Sequence, residues 1–453
     1  MKRRLKEEAI LFVSTVKWIV LASVIGLIVG ASTAVFLKAL NGSIAYAARY
    51  PYFFLLAPAG LVLSAVMTKK LAPEAGGYGA QVIEAVNRRF GRIDAVVVPV
   101  KFAATVITIA LGGSAGKEGP CVQIGAGLSS LFAGVLRFSD GDRKKLVICG
   151  ISGSFAAVFG TPIAGAIYGI EILTVGSIMY EVLLPSFVAG IVGYQVSSVL
   201  GITYFYYPLK FAPLFSEIFF IKVAASGIFF GLVSLFLIET LRLGKLFCRR
   251  AVQRIRMPDP AAAFIAGCVL VALTFVFSKD YLGLGVNVIH SLLEGGDTPW
   301  YSFLMKSIFT SITLNFGGSG GIVTPIYFVG ASAGNLFARI TGLDGAAFAA
   351  IGLVSVLAGA ANTPIAASIL AVELFGAAIA PYAAVASVIS FIMSGHRSVY
   401  STQLLAMKKS SSIDIPIGAE VEGLKAGYLR REKSLFSALS DAVRVLKESI
   451  RRK

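Results

Sequence analysis

Gly112-Gly113-Ser114-Ala115-Gly116-Lys117-Glu118-Gly119-Pro120 sets one carboxylate in a run of small residues between two apolar stretches, AATVITIAL at 103–111 and CVQIGAGLSSLFAGVL at 121–136. Neither flank reads as water-facing surface, so Glu118 is expected at membrane depth. A charge there costs a few kcal/mol or more and is functional by default. Glycines at 112, 113, 116 and 119 remove side chains and let an ion approach bare backbone, while Pro120 suits the first turn of a helix. A helix that begins inside a membrane aims its unpaired N–H groups and positive dipole end at whatever lies in front of it, which makes an anion site. Spacing alone serves a helix-packing surface equally well. A phosphate-binding loop fits poorly, because Glu118 stands where that motif wants Ser or Thr.

Composition sets the class. Hydrophobic residues make up 56% of 453 and charged residues 14%, with a mean hydropathy of +0.81. A soluble globular fold is excluded, and an all-α polytopic membrane protein is expected. Several apolar runs are interrupted by Gly or Pro and are shorter than the roughly 20 residues of a full span, which implies broken and re-entrant helices surrounded by protein. The net charge of +17 falls between the apolar runs rather than on one soluble face, so it reads as positive-inside bias and not as a nucleic-acid surface. MKRRLKEE at the start, the basic stretch 242–256 and the basic end all then read as cytoplasmic, with both termini inside. The long first apolar run reads as a retained helix and not a signal peptide. Four cysteines and two histidines, His290 and His396, suggest neither a disulfide nor a metal site, and no cofactor is expected.

A repeat decides between the readings of the first stretch. Gly77-Tyr78-Gly79-Ala80-Gln81-Val82-Ile83-Glu84 returns 206 residues on as Gly283-Leu284-Gly285-Val286-Asn287-Val288-Ile289-His290. The central run returns as Gly317-Gly318-Ser319-Gly320-Gly321-Ile322-Val323-Thr324-Pro325, and across residues 112–133 ten of 22 positions are identical at that offset of 205. Thr161-Pro162-Ile163-Ala164 with Glu171 returns as Thr363-Pro364-Ile365-Ala366 with Glu373. The chain therefore reads as two homologous halves, about 15–200 and 217–395. Duplications of this length are of the transporter type, with the substrate between the halves and faced by broken-helix ends. Glu118 pairs with Val323, so only one half carries the carboxylate.

These residues, with Tyr400 in Ser398-Val399-Tyr400-Ser401, resemble the CLC family of chloride channels and chloride/proton antiporters over nearly all of residues 15–405. The resemblance implies a CLC-type transmembrane domain (1–405), halves of inverted topology, a homodimer in a lipid bilayer with one anion pathway per subunit, and transport of chloride or another small anion such as fluoride or nitrate. A multi-pass protein of a prokaryotic plasma membrane is expected. Carried over by position, Glu118 is the gate; Tyr78, Gly79, Lys117, Gly119, Ile322, Val323 and Tyr400 surround the anion; and Glu84, Glu118 and Thr203 mark a proton path. A hydroxyl at Tyr400 offers a hydrogen bond without a second fixed charge, which lets an anion bind and still leave; read alone, it is equally an interfacial aromatic anchor.

Three positions depart from the family's pattern. Tyr78 stands where a small residue is usual, Val323 replaces the usual Phe, and the stretch Leu200-Gly201-Ile202-Thr203 lacks the inner glutamate of many antiporters. A membrane enzyme would need a second catalytic group near Glu118, and neither histidine is close to it in sequence. A cation carrier would want acidic rings where this chain has glycine-rich helix starts. Glu171 and Glu373 read as helix-end or subunit-interface partners, and Lys101 either raises the potential near the pathway or snorkels to the interface. The tail, 406–453, is too short for the regulatory CBS domains of some members. It carries Leu435, Phe436, Leu439, Val443, Leu446 and Ile450 at the spacing of an amphipathic helix.

Overall fold

The computed structural model describes residues 2–204, 206–208, 217–424 and 427–428; the amphipathic stretch expected at 435–450 lies outside them. The first half runs through α1 (Lys2–Ala47), α2 (Ala57–Leu71), α3 (Ala80–Arg88), α4 (Val97–Ala110), α5 (Glu118–Val135), α6 (Asp140–Phe159), α7 (Pro162–Glu171) and α8 (Leu183–Val199). The second runs through α9 (Glu217–Ile255), α10 (Asp259–Val276), α11 (Val286–Leu293), α12 (Ser302–Asn315), α13 (Val323–Thr341), α14 (Gly345–Ala361), α15 (Pro364–Phe375) and α16 (Ala380–Met393). Each helix of the first half has its counterpart in the second, in the same order.

Among the described residues, five stretches are long and apolar enough to cross a membrane: Lys6–Ala47, Phe53–Leu71, Tyr180–Val199, Glu217–Arg254 and Asp259–Val276. Their outer faces carry exposed apolar side chains such as Phe12, Leu27, Phe264 and Phe275. In contrast α6 from Leu146 to Val158 and nearly all of α14 are buried, as expected of helical stretches that are apolar or small on every face. Both end alike. Gly160 and Asn362 take the left-handed conformation (φ 73° and 58°) that stops α6 and α14, and a Thr-Pro pair then opens α7 and α15.

The halves meet through contacts made twice, once in each direction. The Ser114 N–H donates to the Thr313 hydroxyl (2.9 Å) and the Ser319 N–H to the Thr108 hydroxyl (3.0 Å). The hydroxyls of Ser114 and Thr310 pair at 3.0 Å, and those of Ser319 and Thr105 at 3.1 Å. Lys101, fully buried, donates to the carbonyls of Ala75 (3.2 Å) and Gly77 (2.8 Å), and Lys306 repeats this on Tyr281 (3.2 Å) and Gly283 (2.9 Å). Lys101 therefore does not snorkel. Its ammonium is spent on carbonyls that a turn would otherwise leave unpaired in a dry interior.

Glu171 and Glu373 complete the exchange. Pro162 and Pro364 occupy the first helical position and have no N–H, and Thr161 and Thr363 make no side-chain cap. The next two N–H groups of α7, on Ile163 and Ala164, donate to the Glu373 carboxylate at 3.0 and 2.7 Å. Those of α15, on Ile365 and Ala366, donate to Glu171 at 3.0 and 2.8 Å. Each carboxylate thus closes the helix start of the opposite half, a charge-assisted cap on a positive dipole end.

Removing either acid leaves two N–H groups without an acceptor. Glu171→Ala and Glu373→Ala should each destabilise the purified protein by about 2–4 kcal/mol, and the Gln variants, which keep one acceptor, by about half that. Denaturant unfolding in detergent measures both, and Ala variants as stable as the parent would show that these caps contribute nothing.

Candidate functional site

The two glycine-rich loops cross at the centre of the molecule. Gly116 and Gly321, equivalent residues of the two halves, exchange a pair of N–H···O bonds of 2.7 Å each. This places the starts of α5 and α13 beside each other, and Glu118, the first residue of α5, is turned onto the start of α13. Its Oε2 accepts the Thr324 N–H at 3.0 Å and its Oε1 accepts the Thr324 hydroxyl. The carboxylate is 1% exposed. It therefore occupies the positive end of a helix, where a free anion of similar size finds the same donors.

The approach is too close for side chains. A Cβ on Gly119 would lie 2.8 Å from the Gly321 Cα, and one on Gly321 would lie 2.6 Å from the Gly119 nitrogen. Gly79, at φ +123°, faces the Tyr400 ring at 3.2 Å from where its Cβ would be, so both its conformation and its surroundings demand glycine.

Beside Glu118 lies a cavity of ≈ 20 Å³ lined by Gly79, Gly119, Val323, Tyr168 and Tyr400, with Val82, Ile83 and Phe155 among its apolar walls. That is room for about one water-sized occupant. Tyr400 is 3% exposed and comes from the segment after α16, which threads back into the protein. Gln403 anchors this segment by donating to the carbonyls of Ile172 and Ala361 at 2.8 Å each. Beyond it, β2 (Leu404–Leu405) pairs in parallel with β1 (Thr174–Val175), which follows α7. Tyr400 is thus a buried hydroxyl at the cavity, not an interfacial anchor.

Of the expected residues, Gly79, Glu118, Gly119, Val323 and Tyr400 are brought together around the cavity. Ile322 is buried behind it, and Lys117 and Tyr78 are half-buried and outside its lining. Glu84 sits half-buried on α3, one residue past Ile83 of the wall, and Thr203 is exposed and away from the cavity. The donors found on the carboxylate belong to Thr324, one residue beyond the expected Ile322 and Val323. The Thr-Pro pair after a glycine-rich loop was the available signal, since a hydroxyl in the first turn of a helix reaches the same space as the free N–H groups. Nearer the surface, Glu422 donates its N–H to the Ser401 carbonyl (2.9 Å) and accepts from Lys245 (2.9 Å). The hydrogen bond from the Lys245 ammonium holds the Glu422 carboxyl below the usual carboxylate range.

Residues 60–395 match the model of the voltage-gated chloride channel family. A chloride/fluoride channel protein of Pseudomonas syringae pv. tomato is 33% identical over 90% of this chain and 91% of its own length. The H(+)/Cl(-) exchange transporter ClcA of Klebsiella pneumoniae is 26% identical over 78% of this chain and 80% of its own. Among solved structures, a CLC-type fluoride/proton antiporter superimposes with a TM-score of 0.81 at 26% identity, covering 86% of this chain and 98% of that one.

A methyl group at Gly321 must push the loops apart, because the atoms it meets are backbone. Gly321→Ala should therefore weaken halide binding about tenfold or more, as expected from loss of the paired bonds and of the helix-start alignment. Calorimetric titration of the purified variant with sodium fluoride and sodium chloride measures this. Affinity equal to the parent would show that the crossing does not hold the site.

Proposed function

This chain belongs to the voltage-gated chloride channel family, and on that premise we propose that it moves small anions past Glu118, whose carboxylate is the exchangeable occupant of the anion site. The observation that carries this is the carboxylate bonded to the Thr324 N–H and hydroxyl at the start of α13, beside the cavity that Tyr400 closes. Carboxylate and halide carry the same charge and want the same donors, so one displaces the other. Protonation of Glu118 removes its charge and frees the donors for the anion. In this reading Gly79, Gly119, Val323, Thr324 and Tyr400 form the binding site, while Lys117 adds positive potential from its edge.

Size favours fluoride beside chloride as cargo. The cavity has about the volume of one water molecule, fluoride has nearly the radius of a water oxygen, and hydroxyl donors such as those of Thr324 and Tyr400 suit a small, strongly hydrated anion. Any proton carried with the anion passes through Glu118, the one carboxylate in the cavity lining. Glu84 offers a way on toward the cytoplasm. Thr203 is dropped from that path, being exposed and outside the cavity's lining.

The loops that open α5 and α13 meet antiparallel at Gly116 and Gly321, as two halves related by a two-fold axis across the loops do. Inverted topology of the halves is carried by the family membership, and the basic stretches at the start of the chain and at 242–256 support cytoplasmic termini. Exposed apolar residues on α7, α8, α15 and α16, among them Ile163, Ile191, Ile365, Val372 and Ile392, offer a surface for the homodimer that the family resemblance implies.

Neutralising the carboxylate removes the competitor. In liposomes, Glu118→Gln should keep anion efflux within a few-fold of the parent, lose its dependence on external pH, and abolish any proton uptake driven by a chloride or fluoride gradient. Proton uptake in the parent identifies an antiporter, and none identifies a channel. Flux that stays pH-dependent and proton-coupled in Glu118→Gln would sink the assignment of Glu118 as gate.

A further inference from the structure

The cavity carries a second buried phenol that the family pattern did not supply. Tyr168, on α7, is 2% exposed and lines the same cavity as Glu118, Val323 and Tyr400. Its ring stacks on Phe155, with centroids 3.9 Å apart and planes at 26°, so its position is fixed by packing. Its hydroxyl lies 3.1 Å from that of Tyr400. Among the described residues this is the one hydrogen bond either hydroxyl makes. The equivalent position in the second half is Leu370, fully buried, so the hydroxyl, like Glu118, is present in one half alone.

Each phenol has one proton, and that decides what the pair can do. If Tyr400 donates to Tyr168, the lone pairs of Tyr400 face the cavity and repel an anion, while the Tyr168 proton is buried without an acceptor. If Tyr168 donates to Tyr400, both costs vanish and the Tyr400 proton is free to point at the anion. Resting on the reading of Tyr400 as an anion donor, we propose that Tyr168 is a positioning residue for anion recognition: its hydroxyl donates to the Tyr400 oxygen and turns the Tyr400 proton into the site. A phenol that accepts one hydrogen bond also donates a stronger one, because chained bonds polarise each other in a low-dielectric interior. An anion therefore selects the order Tyr168 to Tyr400 to anion.

Tyr168→Phe keeps the ring and its stacking on Phe155 and removes the donor alone. Titration of purified protein with sodium fluoride and sodium chloride should show binding weakened about fivefold in Tyr168→Phe, the order of one neutral hydrogen bond. Tyr400→Phe should weaken it at least as much. The double variant should match Tyr400→Phe, because the relay acts through Tyr400 and has no effect once that hydroxyl is gone. Losses that multiply in the double variant, or unchanged affinity in Tyr168→Phe while Tyr400→Phe is impaired, overturn the relay and leave the Tyr400 reading standing. Unchanged affinity in Tyr400→Phe overturns both. Should Tyr168→Phe not fold, infrared difference spectra of the unaltered protein with isotope-labelled tyrosine carry the test. Adding sodium fluoride should move a phenol C–O band toward that of a hydroxyl which accepts and donates at once, and no tyrosine band moving would overturn the proposal.

Discussion

Everything at the centre of this protein depends on two backbone hydrogen bonds between one residue and its own repeat. Gly116 and Gly321 exchange N–H and carbonyl at 2.7 Å, and this fixes two helix starts side by side in the interior of a membrane protein. No water is there to satisfy a stray backbone group, so each loop must pair with the other or be penalised by several kcal/mol. Glycine is required because the strands approach so closely that a Cβ at Gly119, Gly320 or Gly321 would strike backbone or another Cβ. Behind the crossing, the hydroxyls of Ser114, Thr310, Ser319 and Thr105 pair between the loops and their neighbours, while the buried ammonium groups of Lys101 and Lys306 hold the turns before α3 and α11, Lys101 also reaching the Gly320 carbonyl.

What the amino-acid sequence shows of this arrangement is the part that demands unusual backbone. Gly112 and Gly317 have φ of 100° and 108°, and Gly77 and Gly283 have 66° and 54°. Such positions admit glycine and little else, so the duplication is visible at them even where the rest of the halves has diverged. The carboxylate at Glu118 was visible for a related reason, since it stands inside a glycine-rich break between apolar stretches and has no acid at the equivalent position of the other half. Partners across the halves were not visible. Glu171 and Glu373 were recognisable as equivalents, yet that each closes the other's neighbour helix depends on the two-fold arrangement, and no local pattern encodes a contact 194 to 210 residues distant. Lys101 stays open in the sequence between a charge near the pathway and a cation reaching for the interface for the same reason, because its acceptors are the carbonyls of a turn that sequence does not place beside it. Tyr168 carries no motif of its own in the sequence, and its ring packs as an interior aromatic; only its hydroxyl's distance from Tyr400 sets it apart.

The frame is symmetric and the chemistry is not. A two-fold pair of helix starts offers two positive ends, and the first half supplies Glu118 where the second supplies Val323. One end is therefore addressed by a carboxylate and the wall opposite stays apolar. Two monovalent anions about 4 Å apart repel by about 4 kcal/mol at an effective dielectric of 20, and the cavity beside Glu118 has room for about one water-sized particle. With Glu118 proposed as the gate, carboxylate and anion exclude each other at the start of α13. Two carboxylates, one from each half, would hold the site closed against any anion, and none would leave it open at every pH. On the proposed reading, a single acid on a duplicated frame makes occupancy of the site a choice between a protonatable side chain and a mobile ion, and the hydroxyls of Thr324 and Tyr400 serve either without adding a charge of their own.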